Sequence, residues 1–363
     1  MRTGGLGVRI VVFGLTISSS WGNGHATLWR GLCHALRAMG HQVVFFERDV
    51  PYYASARDEG PYGCAWVLYD DFETIVGLAR RELSRADAAI VTSYCPDARK
   101  ACELVLEEAK GMRVFYDLDT PVTLARFHAG EPVDYLPTFG LGDFDLVLSF
   151  AGGPALEALC KLFGARRVAP LYGSVDLSVY RPAASRSPQS ELSYLGTYAA
   201  DRHDTFRAFF LDVARDNPTR HFVVGGALYP REEVWPTNVR HIPHVPPSSH
   251  PTFFASSRLT LNVTRRPMME LGHCPSGRLF EAAACATPIV SDVFPGIESF
   301  FEPGSEILVA RSKGDIQAAI DLDDEALDRI GRAARERALA EHGSEARARQ
   351  LVELLSTPPA PRR

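Results

Sequence analysis

The sequence predicts an α/β chain made of two successive doubly wound domains, and three observations carry that expectation. Short unbroken apolar runs alternate with helical patterns from the start of the chain, and continuous rather than alternating apolar strands imply burial on both faces, hence parallel sheets covered by helices. The series halts after VAPLYGSVDLSVYRP at the small, polar, proline-containing stretch AASRSPQS and then begins again. The length of 363 residues also exceeds what one hydrophobic core usually serves.

The elements follow in order. VRIVVF reads as a first buried strand, followed by a helix from about Ala26 to Met39 and then by the strands QVVFF, AAIVT, RVFY and DLVLSF. The second series comprises LSYLG, a helix from about Asp201 to Asp216, HFVVGG, NVRHI, RLTLNV, a small-residue helix after Ser276, TPIVSD and EILVA. Asp324 to Leu355, rich in Ala, Arg and Glu, is expected to be helical, with STPPAPRR as a frayed tail. These readings place a first domain at 1–180, a linker at 181–191, a second domain at 192–340 and, at 341–363, a C-terminal helix that packs back on the first domain, with its tail.

Composition narrows the function. A hydrophobic content of 46%, a charged content of 23% and a net charge of −5 describe a globular chain without the basic excess of a nucleic-acid or membrane-surface binder. The seven cysteines fall in no CxxC or Cys/His ligand spacing, so they read as reduced cytoplasmic thiols and no metal is expected. The apolar start, Val8 to Leu15, is too short to span a bilayer and leads into polar SSSWGNGH rather than a cleavage site. No run of 18 apolar residues occurs, and no transmembrane segment is expected.

The most informative stretch is Gly272 to Asp292, GHCPSGRLFEAAACATPIVSD. A helix beginning near Ser276 and Gly277 presents unpaired N–H groups and a positive dipole end to an anion. Arg278 adds a planar fork, and Glu281 follows about one turn later, roughly the span from a diphosphate to ribose hydroxyls. The alternative is an ordinary packed αβ unit with a surface Arg–Glu pair. Upstream, Gly196-Thr197 leaves the strand LSYLG and is followed by Arg202, while Arg265 and Arg266 leave RLTLNV, so basic residues gather at strand ends of one domain.

In the first domain the loop Gly14–His25 follows the first strand. Its glycines Gly22 and Gly24 permit close backbone approach, and His25 is a candidate general base or a helix-capping residue. With Glu47 ending the second strand, the same loop also admits a nicotinamide-binding reading, although the third glycine of that fingerprint is missing. Asp117 and Asp119 in FYDLDTP resemble a metal-binding DxD; Asp119-Thr120-Pro121 equally suits a helix N-cap, and structural or acceptor-side roles are the reading adopted. The aromatic region Phe45–Tyr69, with Tyr52, Tyr53, Tyr62 and Trp66, is either an acceptor-side wall or a packed excursion.

Taken together, SSSWGNGH, FFERDVPYY, FYDLDTPVTLA, LSFAGGPAL, LYGSVDLSVYRP, YLGTYAADR, LNVTR and PSGRLFEAAACATPIVSD resemble the GT-B glycosyltransferases, and among them the CgeB-like, spore-maturation-type proteins. That resemblance implies two Rossmann-like domains with a central cleft, a nucleotide diphosphate sugar as co-substrate, no cofactor and no metal. Glu281 matches the donor ribose residue. Arg278, Ser276 and Gly277 match diphosphate-side positions, with Arg202, Gly196, Thr197 and Arg265 in support. Ser20, Trp21, Gly22, Asn23, Gly24, Asp117 and Asp119 fall on the acceptor side, the acceptor being a small molecule, a glycan or a protein. The candidate catalytic residues are His25, in a turn similar to that of inverting enzymes, and His273, which replaces the Glu of many retaining ones, so stereochemistry stays open. A nucleotide-sugar epimerase and a non-catalytic glycan or surface-assembly protein are the alternatives of the same fold.

Overall fold

The computed structural model describes residues 7–22, 24–183 and 188–357, and the chain divides into two compact units. The first comprises residues 1–172 and 344–363, the second residues 173–343. The junction thus falls ahead of the expected linker at 181–191, whose residues 184–187 lie outside the described ones. Local bonding gives the reason. The Val175 N–H donates to the His342 carbonyl at 2.9 Å and the Tyr180 hydroxyl donates to Glu281 at 3.1 Å, tying 173–180 to the second unit.

The first unit carries seven strands: β1 Arg9–Gly14, β2 Gln42–Arg48, β3 Ala65–Tyr69, β4 Ala88–Thr92, β5 Met112–Asp117, β6 Leu146–Ser149 and β7 Val168–Pro170. All pair in parallel in the order β3-β2-β1-β4-β5-β6-β7. Strands β1, β4, β5 and β6 are buried along nearly their whole length, which is why their sequences do not alternate. Trp29, from the His25–Ala38 helix, packs edge-on against Phe45 and Tyr116 at 5.5 and 6.1 Å. Ala348 and Leu351 of the terminal Ser344–Ser356 helix complete this core.

The second unit repeats the plan with β8 Ser190–Leu195, β9 Phe222–Gly225, β10 Val239–Ile242, β11 Ser257–Asn262, β12 Ile289–Asp292 and β13 Leu308–Ala310. The parallel order β10-β9-β8-β11-β12-β13 is that of a dinucleotide-type Rossmann sheet, so a topological switch point lies between β8 and β11, as one lies between β1 and β4 in the first unit. Ligands of such sheets bind outside the carboxyl ends of the strands at that point.

Two expected helices are interrupted. A π-helical turn at Arg207–Leu211 breaks the 201–216 helix, and another at Ala338–His342, followed by extended Gly343, separates the Asp324–Arg337 helix from Ser344–Ser356. The aromatic region also resolves. Residues 65–69 form strand β3, Trp66 packs edge-on to Tyr62 at 5.4 Å and bonds Glu47, and only Tyr52 among the four aromatics is strongly exposed, at 47%.

Candidate functional site

In the second unit the site assembles at the β8/β11 switch point. Arg278, one residue into the Gly277–Ala284 helix, lays its guanidinium over the Tyr194 ring of β8 at 5.4 Å and donates to Asn262 Oδ1, at the end of β11, at 3.2 Å. Asn262 is itself oriented by donating through Nδ2 to Ser291 Oγ at 2.9 Å. Arg202 approaches the same Tyr194 ring at 5.9 Å and donates to the carbonyls of Thr197 and Val263. Gly196 admits this arrangement, since a Cβ there would stand 2.8 Å from Arg278 Nη2.

Among the described residues, neither Arg278 nor Arg202 has a carboxylate within ion-pair distance. Burial lowers the pKa of Arg278, and the neighbouring Arg202 charge adds to the effect. Asp292, the nearby acid, feels the Arg202 charge but makes no ion pair with it. Its oxygens accept from the Thr264 N–H at 2.9 Å and the Thr264 hydroxyl at 2.7 Å, and burial raises its pKa. Two neighbouring cations with no carboxylate at ion-pair distance among the described residues make this strand end a candidate anion site. The third expected cation behaves differently. Arg265 is held by Asp201 at 2.8 Å, and Arg266, exposed, opens the short helix to Leu271, so the basic cluster read from the sequence reduces to Arg202 and Arg278.

Ser276 occupies the N-cap of the Gly277–Ala284 helix without a side-chain cap bond, and Gly277 faces open space. Glu281 lies on the same helix, where its carboxylate meets Tyr180 and His250. His273 adopts left-handed φ of 47°, a costly conformation for a residue with a Cβ, and its ring stacks against Gly296, where a Cβ would come within 2.3 Å of Nδ1.

In the first unit a polar cluster stands at the β1/β4 switch point. The His25 ring lies 5.6 Å from that of Tyr94, which follows β4 at φ of 63°. The Tyr94 hydroxyl donates to Asp119 Oδ2 at 3.1 Å, and its ring rests against Tyr135 at 4.8 Å. As the sequence suggested, Asp119 occupies the N-cap position of the Thr120–His128 helix with Pro121 in its first turn, but its side chain makes no capping bond there and its carboxylate meets Tyr94 instead. Asp117 is fully buried, accepts from the Asp119 N–H at 3.1 Å, and burial raises its pKa. Burial also pushes the His25 imidazole down to about 4, so the ring is neutral at physiological pH.

Glu47 is the clearest departure from the sequence reading. Its buried carboxylate accepts from Thr16 Oγ1 at 2.8 Å, Ser18 Oγ at 2.6 Å, the N–H groups of Ile17 and Ser18 at 2.9 and 3.1 Å, and Trp66 Nε1 at 3.0 Å. With its lone pairs so engaged it has no capacity to bind a ribose, and the nicotinamide reading falls. Its role is to shape the 14–25 loop, which Asp58 holds further along by accepting from the Ser20 N–H at 2.7 Å and from Arg30 at 2.8 Å. Gly22, at φ of 68°, lies under the Tyr52 hydroxyl; Trp21 and exposed Gly24 complete the turn, and Asn23 lies outside the described residues. Glu47→Ala would strand five donors, and urea unfolding is expected to show a loss of about 3–5 kcal/mol.

Sequence reasoning missed Tyr94, Tyr180, Tyr194 and His250. Tyr180 and Tyr194 fall inside the quoted segments LYGSVDLSVYRP and YLGTYAADR without being singled out, and each of the four acquires its neighbours from distant strands or loops. Among the described residues no group of three or more His, Cys, Asp or Glu is placed to hold a metal ion, and no helix is long and apolar enough to cross a membrane.

Two parallel Rossmann-type sheets, of seven and six strands in this order, match the GT-B class of fold. Comparison with known proteins agrees. Residues 202–353, less than half of the chain, match the family described as Glycosyl transferase-like. No curated protein matches significantly. Among solved structures, sucrose-phosphate synthase from Thermosynechococcus elongatus is similar with a TM-score of 0.66 at 15% identity, covering 96% of this chain and 98% of that one. HepE of Anabaena, in complex with UDP and glucose, gives 0.68 at 13% identity over 96% and 99%. An alpha-glucosyltransferase in complex with UDP-glucose and DNA containing an abasic site gives 0.69 at 13% identity over 97% and 100%. At these identities the likeness is one of fold.

Proposed function

We propose that this protein is a glycosyltransferase that moves a sugar from a UDP-sugar to a hydroxyl-bearing small molecule, glycan or protein. The observation that carries the reading is the pair Arg278 and Arg202, two cations at the switch point without a carboxylate partner, beside the uncapped start of the Gly277–Ala284 helix. Phosphate oxygens would take the place of that missing counter-charge, and Glu281 would accept from the ribose. The uridine base is suggested by the UDP complexes of HepE and the alpha-glucosyltransferase.

In the reaction the acceptor's hydroxyl oxygen forms a bond to the sugar's anomeric carbon, and the bond between that carbon and the β-phosphate oxygen breaks. Negative charge collects on the departing diphosphate, where two fixed guanidinium groups and the helix dipole stabilise it without a metal ion. His25, neutral at working pH, accepts the proton of the acceptor hydroxyl. The motif resemblance supports a place among CgeB-like proteins, and the seven cysteines, which form no disulfide with one another, support action in the cytoplasm. The net charge of −5 gives no support to a nucleic-acid acceptor.

Calorimetric titration with UDP, GDP, ADP and TDP tests the donor site. Selective binding of UDP, weakened at least tenfold in Glu281→Ala, is the expected result; equal, negligible binding of all four would overturn the reading. NMR of the products with a UDP-sugar alone separates transfer from epimerisation.

A further inference from the structure

Glu281 is not alone on its helix face. Tyr180 is 4% exposed, and its hydroxyl oxygen lies 3.1 Å from Glu281 Oε1 and 3.0 Å from His250 Nδ1. His250 Nδ1 is 3.5 Å from Glu281 Oε2, and its other nitrogen, Nε2, lies 3.1 Å from the Val245 carbonyl. The three side chains come from separate places in the second unit: the segment before β8, the His250–Ala255 helix and the Gly277–Ala284 helix.

Counting donors decides what this cluster lacks. A carbonyl only accepts, so Nε2 carries the ring hydrogen, and in the neutral imidazole Nδ1 is an acceptor. With Nδ1 as an acceptor, the Tyr180 hydroxyl has one proton for two acceptors, Nδ1 and Oε1. Burial, with the Glu281 charge, raises the Tyr180 phenol well above its ordinary value, so it remains an O–H group. The cluster is therefore short of hydroxyl donors, the groups a ribose supplies in pairs.

We propose that Tyr180 and His250 are positioning residues that hold the Glu281 carboxylate ready for ribose hydroxyls, the Tyr180 proton turning from Glu281 to His250 when the ribose binds. The inference rests on the donor reading of Glu281 given above. In the empty site Tyr180 keeps the carboxylate fixed; in the occupied site the ribose hydroxyls donate to Glu281, and the released Tyr180 proton satisfies Nδ1. Every acceptor then has a donor, and this state requires a ribose rather than a deoxyribose.

The test is calorimetric binding of UDP, 2′-deoxy-UDP and 3′-deoxy-UDP to wild type, Tyr180→Phe and His250→Leu. Wild type is expected to prefer UDP over at least one deoxy analogue by roughly tenfold, the scale of a hydrogen bond to a charged group. In Tyr180→Phe that ratio should fall toward one while deoxy-UDP affinity stays within about twofold. His250→Leu, which leaves Glu281 as the sole acceptor of the Tyr180 proton, should lower the ratio in the same direction and provides the readout if Tyr180→Phe folds poorly. A variant that weakens all three ligands equally, or keeps the wild-type ratio, overturns the positioning role. Wild type binding UDP and both analogues alike overturns the ribose role of Glu281, and wild type failing to bind UDP overturns the donor reading itself, each taking this inference with it.

Discussion

Arg278→Gln is expected to lower kcat/KM for a UDP-sugar by roughly 100- to 1,000-fold, the range seen when one fixed donor is removed from a developing oxyanion. The guanidinium is partly buried over Tyr194 and anchored to Asn262, so it is held in place before substrate arrives and needs no reorganisation as charge develops. Glutamine keeps much of the length and polarity but loses the charge and the planar fork. The fold is expected to tolerate the change, because burying a cation with no carboxylate partner costs stability in the absence of ligand. Steady-state kinetics beside thermal unfolding checks both halves. Rates within threefold of wild type would remove Arg278 from the site.

His25→Ala is expected to spare UDP binding within about twofold and to lower kcat by roughly 100- to 10,000-fold, the scale of general-base catalysis. The pH profile gives an independent reading. Burial lowers the His25 pKa to about 4, so the base form is present above that value and is lost as pH falls through it. On the acid side the wild-type rate should therefore hold until about pH 4, whereas a histidine of ordinary pKa would begin to lose activity near pH 6.5. A limb near 6.5 that survives in His25→Ala would assign the titration to another group. Tyr94, ring to ring with His25 and bonded to Asp119, lies where it can fix the imidazole, and its left-handed backbone marks a position held by its surroundings.

The architecture was legible because it depends on patterns that survive in one dimension. Strands β1, β4, β5 and β6 of the first unit are buried on both faces and appear as largely continuous apolar runs, as a covered parallel sheet requires, whereas β8 and β11 of the second unit, SELSYL and SRLTLN, set the buried Ser193 and Thr260 among their apolar residues. The Gly277–Ala284 helix was visible for a similar reason: a turn, a helix start, an Arg and a Glu one turn apart are local features. Strand β3 was hidden because it lies at a sheet edge, only partly buried, within an aromatic segment whose periodicity is weak. The π-turns at Arg207–Leu211 and Ala338–His342 leave no mark on a helical pattern.

What the sequence determined about the protein is thus the two-sheet plan and the residue types available at its strand ends. Which of those residues carry free charge was decided by tertiary contacts alone. Arg265 and Arg278 look equivalent in sequence, yet one meets Asp201 and the other only a ring and an amide oxygen. Glu47 and Glu281 both follow the spacing of a ribose ligand, but five donors enclose the first, while the second sits in a cluster short of protons. Hydrogen bonds and ion pairs saturate over a few ångströms, so the capacity of a side chain to bind a ligand is fixed by neighbours that distant parts of the chain deliver.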